Sequence, residues 1–562
     1  MFNLSQKPWF RKFLVSLVGK PLLKDFNKKS MHIRETQEEL FKKFLEDSKD
    51  TVFGKKMNFK NIKTYQDYIK AVPVMDYEAH RPYINRMMKG ETDILFPGKP
   101  IIYNTTSGTT SKPKMIPISP EYFTRGTQNI NKLWLYSAMK DNPNIYNGKS
   151  LSYVAPAVEG EVEDGTPYGS VSGLGFSNIP KILKSTYSAP YPVVCIKNYD
   201  LKFYAIMRYA LACNITIMIV LNPATYLRMQ KCIMDEIEDM IRDIHDGTLR
   251  KDASLALPPE HKEECLALLK PQPDRAKELE RLYKSHGEEL RFKHYWPDIW
   301  LINIWKQGNF KLMLPKLDGF FPEKTVYRAF GYQASEGRTG ITLGNDWDYS
   351  ALGTHAFFFE FIEESKRNEE NPLTLMAHEL EKGKKYYLLL NNGSGLYRYD
   401  MNDIVEVSGF YNEVPCIKFI QKGEGITSLT GEKLSEIQVI DAVKAVTDDL
   451  DFKIEFYLMY CDFKEHKYKF FIEYGEKIPE SKKEKFIIAL DNKLKEFNEE
   501  WETKRGTGRL DIPELYELQT SSQSRMKENL VQQGLARAAQ FKDLYLTKKE
   551  NIYKELLKLK KQ

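Results

Sequence analysis

"NITIMIVLNPATYLRMQKCIMDEIEDMIRDIHDG", Asn214 to Gly247, changes its period in the middle. The first part is a nearly continuous apolar run ending at Asn222 and Pro223. Such a run suits a strand covered on both faces, as in a parallel sheet. The second part sets Ile233, Ile237, Met240, Ile241 and Ile244 on one helical face, and Gly247 stands at the stop. A buried strand feeding an amphipathic helix is half of a βαβ unit, so an α/β fold is expected.

Working outward, "SLSYVAPAV" from Ser150 is a second short apolar run of the buried-strand kind. Upstream, "ETQEELFKKFLEDSKDTVFG" reads as a helix with Leu40, Phe41, Phe44 and Leu45 on one face and Gly54 closing it. Downstream, Lys384 to Phe410 reads as strand, glycine-containing turn, strand, turn, strand, the mark of an antiparallel subdomain. Beyond Gly423 the pattern becomes a small α+β unit. "SEIQVIDAVKAV" is helical, and "FKIEFYLMYC" with "KYKFFIEYG" forms a hairpin. Phe486, Leu490, Leu494, Phe497 and Trp501 share one helical stripe. A hinge near Gln421 to Leu429 divides the chain into residues 1–424 and 425–562.

The 562 residues carry 83 basic and 77 acidic side chains, a net charge of +6, and 42% of them are hydrophobic. That composition supports large cores. The charge is interspersed, with no basic stripe interleaved with aromatics, so a nucleic-acid partner is not expected. Cys195, Cys213, Cys232, Cys265, Cys416 and Cys461 are too scattered for a metal knuckle and read as reduced thiols in a cytoplasmic protein. The opening "MFNLSQKPWFRKFLVSLVGKPLLKDF" has a short apolar run bracketed by Lys12 and Lys20, with no cleavage site. It is expected to be an amphipathic helix docked on the body, with weak membrane-surface contact as the alternative and no stable membrane anchor.

Four stretches could carry chemistry. In "YNTTSGTTSKPKMIPIS", Tyr103 to Ser119, hydroxyl residues surround Gly108 and lysines follow. Backbone amides and the hydroxyls of Ser107, Thr109 and Thr110 can donate to phosphate oxygens, with Lys114 adding charge. The pattern is not a Walker loop, and read alone it fits either a polar turn or a phosphate loop. In "YRAFGYQASEGRTG", Tyr332 could stack on a base and Glu336 could hold magnesium. In "GLYRYDMNDIVEVSGF", Asp403 lies in an expected turn and could bind a ribose diol or cap its own backbone. In "RAAQFKDLY", Lys542 sits between aromatics.

The order of these four is that of the adenylate-forming superfamily of acyl-CoA synthetases, adenylation domains and luciferases. More closely, the sequence resembles the Gretchen Hagen (auxin-responsive) acyl acid amido synthetases in their bacterial-type form. The resemblance runs from "TVFGKKMNFKNIKTYQDYIKAVPVMDYEAHRPYINRMMKGETDILFPGKPIIYNTTSGTTSKPKMIPIS" through "WPDIW", "GYQASEG", "FFFEFI" and "GLYRYDMNDIVEVSGF" to "GEKLSE" and "GLARAAQFK". It implies a large N-terminal α/β domain with an antiparallel β subdomain and a small mobile C-terminal α+β domain.

The resemblance also implies roles. Ser107, Gly108, Thr109, Thr110 and Lys114 would form the phosphate loop, with Lys112 a solvated neighbour. Tyr332 would stack on adenine, Ser335 and Glu336 would sit by the phosphates with Glu336 on Mg²⁺, and Asp403 would bind the ribose. Lys422 falls at the hinge where the family has arginine, and Asn402 falls where it has glycine; asparagine tolerates the left-handed backbone such a glycine supplies. Lys433 lies in "GEKLSE", and Lys542 would swing in to the reacting carboxylate. Phe176, Asn222 and Tyr226 are candidates for the acyl pocket, each of which could equally be core or capping. The implied substrates are ATP, a carboxylic acid and an amino acid. An acyl-CoA ligase using a thiol acceptor is the nearest rival, and a non-catalytic nucleotide-binding scaffold a more distant one.

Overall fold

The strand expected before Asn222 is Ile215–Ile219, and it lies inside a four-stranded parallel sheet in the order Lys149–Ser152, Ile215–Ile219, Leu301–Asn303, Val326–Arg328. The helix that follows it, Pro223–Asp246, stops at Gly247 in the left-handed conformation (φ 71°). Met229, Ile233, Ile237, Met240 and Ile244 are buried in one core with the helix Tyr199–Leu211 and the sheet, and Ile241 is packed at its edge. The change of period at Asn222 therefore marks the passage from a fully covered strand to a half-covered helix.

This is a computed structural model. It describes residues 7–105, 114–307, 314–367, 369, 371–427, 429–430, 432, 434–506, 510–533 and 543–561. Its contacts divide the chain into two units. The first comprises residues 1–105, 115–401 and 406–419, and the second residues 106–114, 402–405 and 420–562.

Two further sheets accompany the parallel one. A small sheet runs Met115–Ile118, Ile102–Thr105, Pro167–Gly169, Gly160–Glu161, its first two strands antiparallel with Thr105 opposite Met115. A seven-stranded sheet has the order Thr374–Met376, Phe358–Glu363, Lys385–Asn391, Tyr399–Tyr411, Val414–Lys422, Ser350–Leu352, Gly340–Ile341. This is the expected antiparallel subdomain with one difference. No turn interrupts it at Asp403, because the strand Tyr399–Tyr411 runs through that position. The left-handed backbone at Asn402 (φ 50°) is accommodated within the strand, as asparagine permits.

The second unit has a four-stranded sheet in the order Glu514–Glu517, Lys467–Tyr474, Ile454–Asp462, Leu546–Thr547, a two-stranded one pairing Ile426–Thr427 with Leu434–Ser435, and helices that include Glu436–Leu450 and Glu480–Phe497. Phe486, Leu490, Leu494 and Trp501 are buried as their spacing predicts, but Phe497 is 41% exposed. The helix ends there. Asn498 starts a new one by accepting from the Trp501 amide at 2.9 Å, which breaks the stripe before its last member.

Two N-terminal expectations change similarly. The helix Ile33–Ser48 stops short of Gly54. Thr51 caps a separate helix, Val52–Lys56, and accepts from the Gly54 amide at 3.0 Å, so Gly54 is a first-turn residue and not a stop. The opening segment is the helix Pro8–Ser30, docked as expected through Arg11, Gly19 and Phe26, yet it turns Trp9, Phe13 and Leu17 outward.

Candidate functional site

In an open parallel sheet, ligands bind beyond the carboxyl ends of the strands. The strand Val326–Arg328 leads there into the loop that bears Tyr332, Ser335 and Glu336. Gly331 turns the chain at φ 128°, where a Cβ would lie 2.4 Å from the Gly340 carbonyl oxygen, so only glycine fits. Reciprocal backbone bonds between Ala334 and Gly337 (2.9 and 3.2 Å) pinch the loop around Ser335 and Glu336.

Tyr332 is buried, its amide donating to Ser350 Oγ at 3.1 Å and its ring near-parallel to that of Phe419 at 6.1 Å. The Ser335 carbonyl accepts from Asn104 Nδ2 at 2.8 Å, while Asn104 Oδ1 accepts from the Val171 amide at 3.1 Å. One side chain on the strand Ile102–Thr105 thus ties the loop to the start of the helix Val171–Ser177.

Glu336 is buried, and its Oε1 accepts from the Tyr399 hydroxyl at 3.0 Å. Its backbone carbonyl accepts from Asn392 Nδ2 at 3.1 Å and from the Tyr122 hydroxyl at 3.4 Å. Burial and the adjacent Glu336 charge push the Tyr399 phenol well above its ordinary value, so it remains a donor. Among the described residues no group of three or more metal-ligating side chains occurs. A lone carboxylate, held on one oxygen by a tyrosine, suits a Mg²⁺ that keeps most of its waters and arrives with phosphates.

Tyr399 is placed by a buried network one residue before it. Arg398 adopts φ 47° and donates from Nε to Glu360 Oε1 at 2.9 Å, from Nη1 to the Val72 carbonyl at 2.8 Å and from Nη2 to Thr374 Oγ1 at 3.0 Å. Glu360 also accepts from Tyr65 and Asn391. His80 presents its ring edge to Tyr399 and its Nε2 to the Tyr397 amide. Arg338, in the Glu336 loop, lies 5.1 Å over the Phe330 ring. Its burial lowers it to about 10 against the opposing pull of the Tyr122 phenol.

Sequence reading passed over Asn104, Tyr399, Arg338, Arg398 and Glu360. The signals available were a polar residue in the apolar run before the hydroxyl-rich stretch, and charges inside "YRYD", "SEGR" and "FFFEFI". None of these shows its partner.

In the second unit, buried Asp403 receives Lys422 Nζ at Oδ1, 2.5 Å away, across the hairpin of Tyr399–Tyr411 and Val414–Lys422. The lysine expected at a hinge and the carboxylate expected at the ribose are thus brought together. Lys114 is half-buried just before the strand Met115–Ile118. Ser107, Gly108, Thr109, Thr110, Lys112, Lys433 and Lys542 lie outside the described residues. Beside Lys433, buried Glu432 accepts from the Leu429 and Thr430 amides and from the Tyr468 hydroxyl at 2.6, 2.8 and 2.5 Å. Burial opposes its ionisation, but these donors hold it below the ordinary carboxylate range.

The acyl-pocket candidates separate. Phe176 is half-buried against Tyr187 and Tyr191 at ring distances of 4.9 and 5.8 Å. Asn222 caps the helix Pro223–Asp246, accepting from the Ala224 amide at 2.9 Å. Tyr226 is wholly buried, edge-on to Phe321, with its hydroxyl on the Asn303 carbonyl at 3.0 Å.

This is an α/β fold with a large N-terminal part and a smaller C-terminal one. The solved GH3.15 acyl acid amido synthetase superposes with a TM-score of 0.82 at 18% identity, covering 96% of each chain. The chain belongs to the GH3 family: the family's N-terminal domain matches residues 22–326, its central domain 350–422 and its C-terminal domain 437–551. Similar relatives include the indole-3-acetic acid-amido synthetase GH3.17 of Arabidopsis thaliana, 24% identical over 68% of this chain and 67% of that one. Another is the jasmonoyl–L-amino acid synthetase JAR6 of Nicotiana attenuata, 25% identical over 77% of each.

Proposed function

We propose that this protein is an ATP-dependent acyl acid amido synthetase of the bacterial-type branch of its family. The observation that carries the reading is the full set of family domains in order along a chain whose strand-end loop offers a tyrosine-held carboxylate. A carboxylate oxygen of the acid attacks the α-phosphorus of ATP. The bond to the β-phosphate bridging oxygen breaks, and pyrophosphate leaves. The nitrogen of an amino acid then attacks the acyl carbon. AMP departs with the former carboxylate oxygen, and the amine proton passes to solvent or base.

Catalysis here is mainly positioning and charge stabilisation. Ser107, Gly108, Thr109, Thr110 and Lys114 would cradle the phosphates, Tyr332 would face the adenine and Ser335 would flank the phosphates. Asp403, paired with Lys422, would hold the ribose hydroxyls. Lys542, brought in by the C-terminal domain of residues 425–562 against residues 1–424, would offset charge between carboxylate and α-phosphate. Mg²⁺ on Glu336 would supply charge neutralisation at the phosphates when bound. Phe176 is the acyl-pocket candidate its half-buried aromatic setting favours, ahead of Asn222 and Tyr226. The six cysteines, all thiols, fit a cytoplasmic enzyme.

The test is a screen of carboxylic acids for pyrophosphate release with ATP and Mg²⁺, repeated with each amino acid and with coenzyme A. The reading expects acid-dependent pyrophosphate release and an amide product. A thioester in place of an amide would transfer the protein to the ligase reading. No acid-dependent pyrophosphate from any acid, or wild-type pyrophosphate exchange in Lys542→Ala, would count against the chemistry assigned above.

A further inference from the structure

The proposed reaction leaves the outer surface of the helix Pro8–Ser30 unexplained. Its inner face is locked. Arg11 donates to the carbonyls of Tyr146 and Gly148 at 3.2 and 2.5 Å. A Cβ on Gly19 would lie 2.2 Å from that of Tyr136, so the helix seats directly against the helix Asn129–Asp141. Phe26 packs on Tyr411 and His355. The opposite face is therefore held outward by packing.

That outward face is not the polar surface a docked helix should present. Trp9, Phe13 and Leu17, spaced by four, are 60%, 55% and 61% exposed. Lys20, Lys24 and Lys28 continue the same row at helical spacing and are also exposed. Residues 7–29 hold seven basic side chains and one acidic, Asp25, and that one is paired with Lys29 at 2.8 Å. Large apolar side chains aligned in solvent mark a contact surface.

The two halves of the row choose the partner. A second copy laid parallel would set lysine row against lysine row, and an antiparallel copy would set lysines against apolar side chains. A bilayer with anionic headgroups satisfies both halves. Trp, Phe and Leu enter the boundary between headgroups and acyl chains, and the lysines extend their stems along it with charges on phosphate. No described helix is long and apolar enough to cross a membrane, so the contact is a surface one.

We propose that the outer face of Pro8–Ser30 binds reversibly to anionic phospholipid membranes. The test is sedimentation of the full-length protein with vesicles of phosphatidylcholine containing about 30% phosphatidylglycerol, against phosphatidylcholine alone. The proposal expects binding to the anionic vesicles only, weakened by salt at about 0.5 M. Trp9→Gln/Phe13→Gln/Leu17→Gln and Lys20→Gln/Lys24→Gln/Lys28→Gln should each reduce partitioning about 10-fold or more. Both should keep the wild-type melting temperature, because the six side chains lie outside the packed face. Absence of wild-type binding, equal binding to neutral vesicles, or undiminished binding by either variant overturns the proposal. So does a dimer in solution that the Trp9/Phe13/Leu17 variant dissociates, since a second copy would then cover the row.

Discussion

The Tyr399 hydroxyl donates to Glu336 Oε1 at 3.0 Å, joining residues 63 positions apart in the sequence. The tyrosine lies on a strand of the antiparallel sheet, the glutamate in a loop leaving the parallel sheet. On the proposed reading, the other carboxylate oxygen would face Mg²⁺ while the tyrosine holds this one. Tyr399→Phe keeps the ring and removes the donor. Pyrophosphate exchange should fall about 10- to 100-fold, the range for losing a partner behind a metal ligand. Raised Mg²⁺ should restore part of it. An unchanged Mg²⁺ dependence would show that the tyrosine does not position the carboxylate for metal.

Asp403 is buried with Lys422 as its ion-pair partner. Asp403→Ala should weaken ATP binding about 10-fold or more, since a ribose hydroxyl would lose a charged acceptor. Calorimetric titration with ATP measures this directly, and an unchanged dissociation constant would refute the ribose role.

Arg398 and Glu360 form a buried pair behind the site. Removing one partner strands the other charge, at a cost of about 3–5 kcal/mol. Arg398→Met should therefore lower stability sharply in urea unfolding. Arg398→Met/Glu360→Met should recover part of the loss. Equal stabilities of wild type and Arg398→Met would mean that the pair contributes nothing.

His80 and His355 are buried, and burial drives both imidazoles down to about 4. Their folded-state values lie below the ordinary one near 6.5, so the unfolded chain takes up protons first. Stability from these groups is complete above about pH 7 and declines as pH falls from about 6.5 towards 4, by up to about 3 kcal/mol for each. Melting temperature should fall steadily over that window, and His80→Gln should flatten the profile. A wild-type melting temperature constant between about pH 7 and 5 would contradict this.

Asn402 holds a left-handed backbone inside a strand. Asn402→Ala should be less stable than Asn402→Gly by about 1 kcal/mol, because both lose the side chain but only alanine resists that conformation. Equal melting curves for the two variants would argue against a left-handed backbone at this position.

The sequence by itself determined the fold class, because a fully buried strand and a half-buried helix impose different periods on neighbouring residues. Ile215–Ile219 and Pro223–Asp246 show both periods at the boundary Asn222. It also determined which stretches could carry chemistry, and the asparagine at 402 could be read as compatible with left-handed backbone. Local pattern could not show where elements stop when a side chain restarts them, as Thr51 does before Gly54 and Asn498 after Phe497. It could not show that Asp403 lies within a strand. Above all, only the tertiary structure decided the supports of the site: Asn104 to Ser335, Tyr399 to Glu336, Arg398 to Glu360. The two members of each pair are brought together by folding across long stretches of chain, and a polar residue's own neighbours in sequence carry no mark of the distant group that satisfies it.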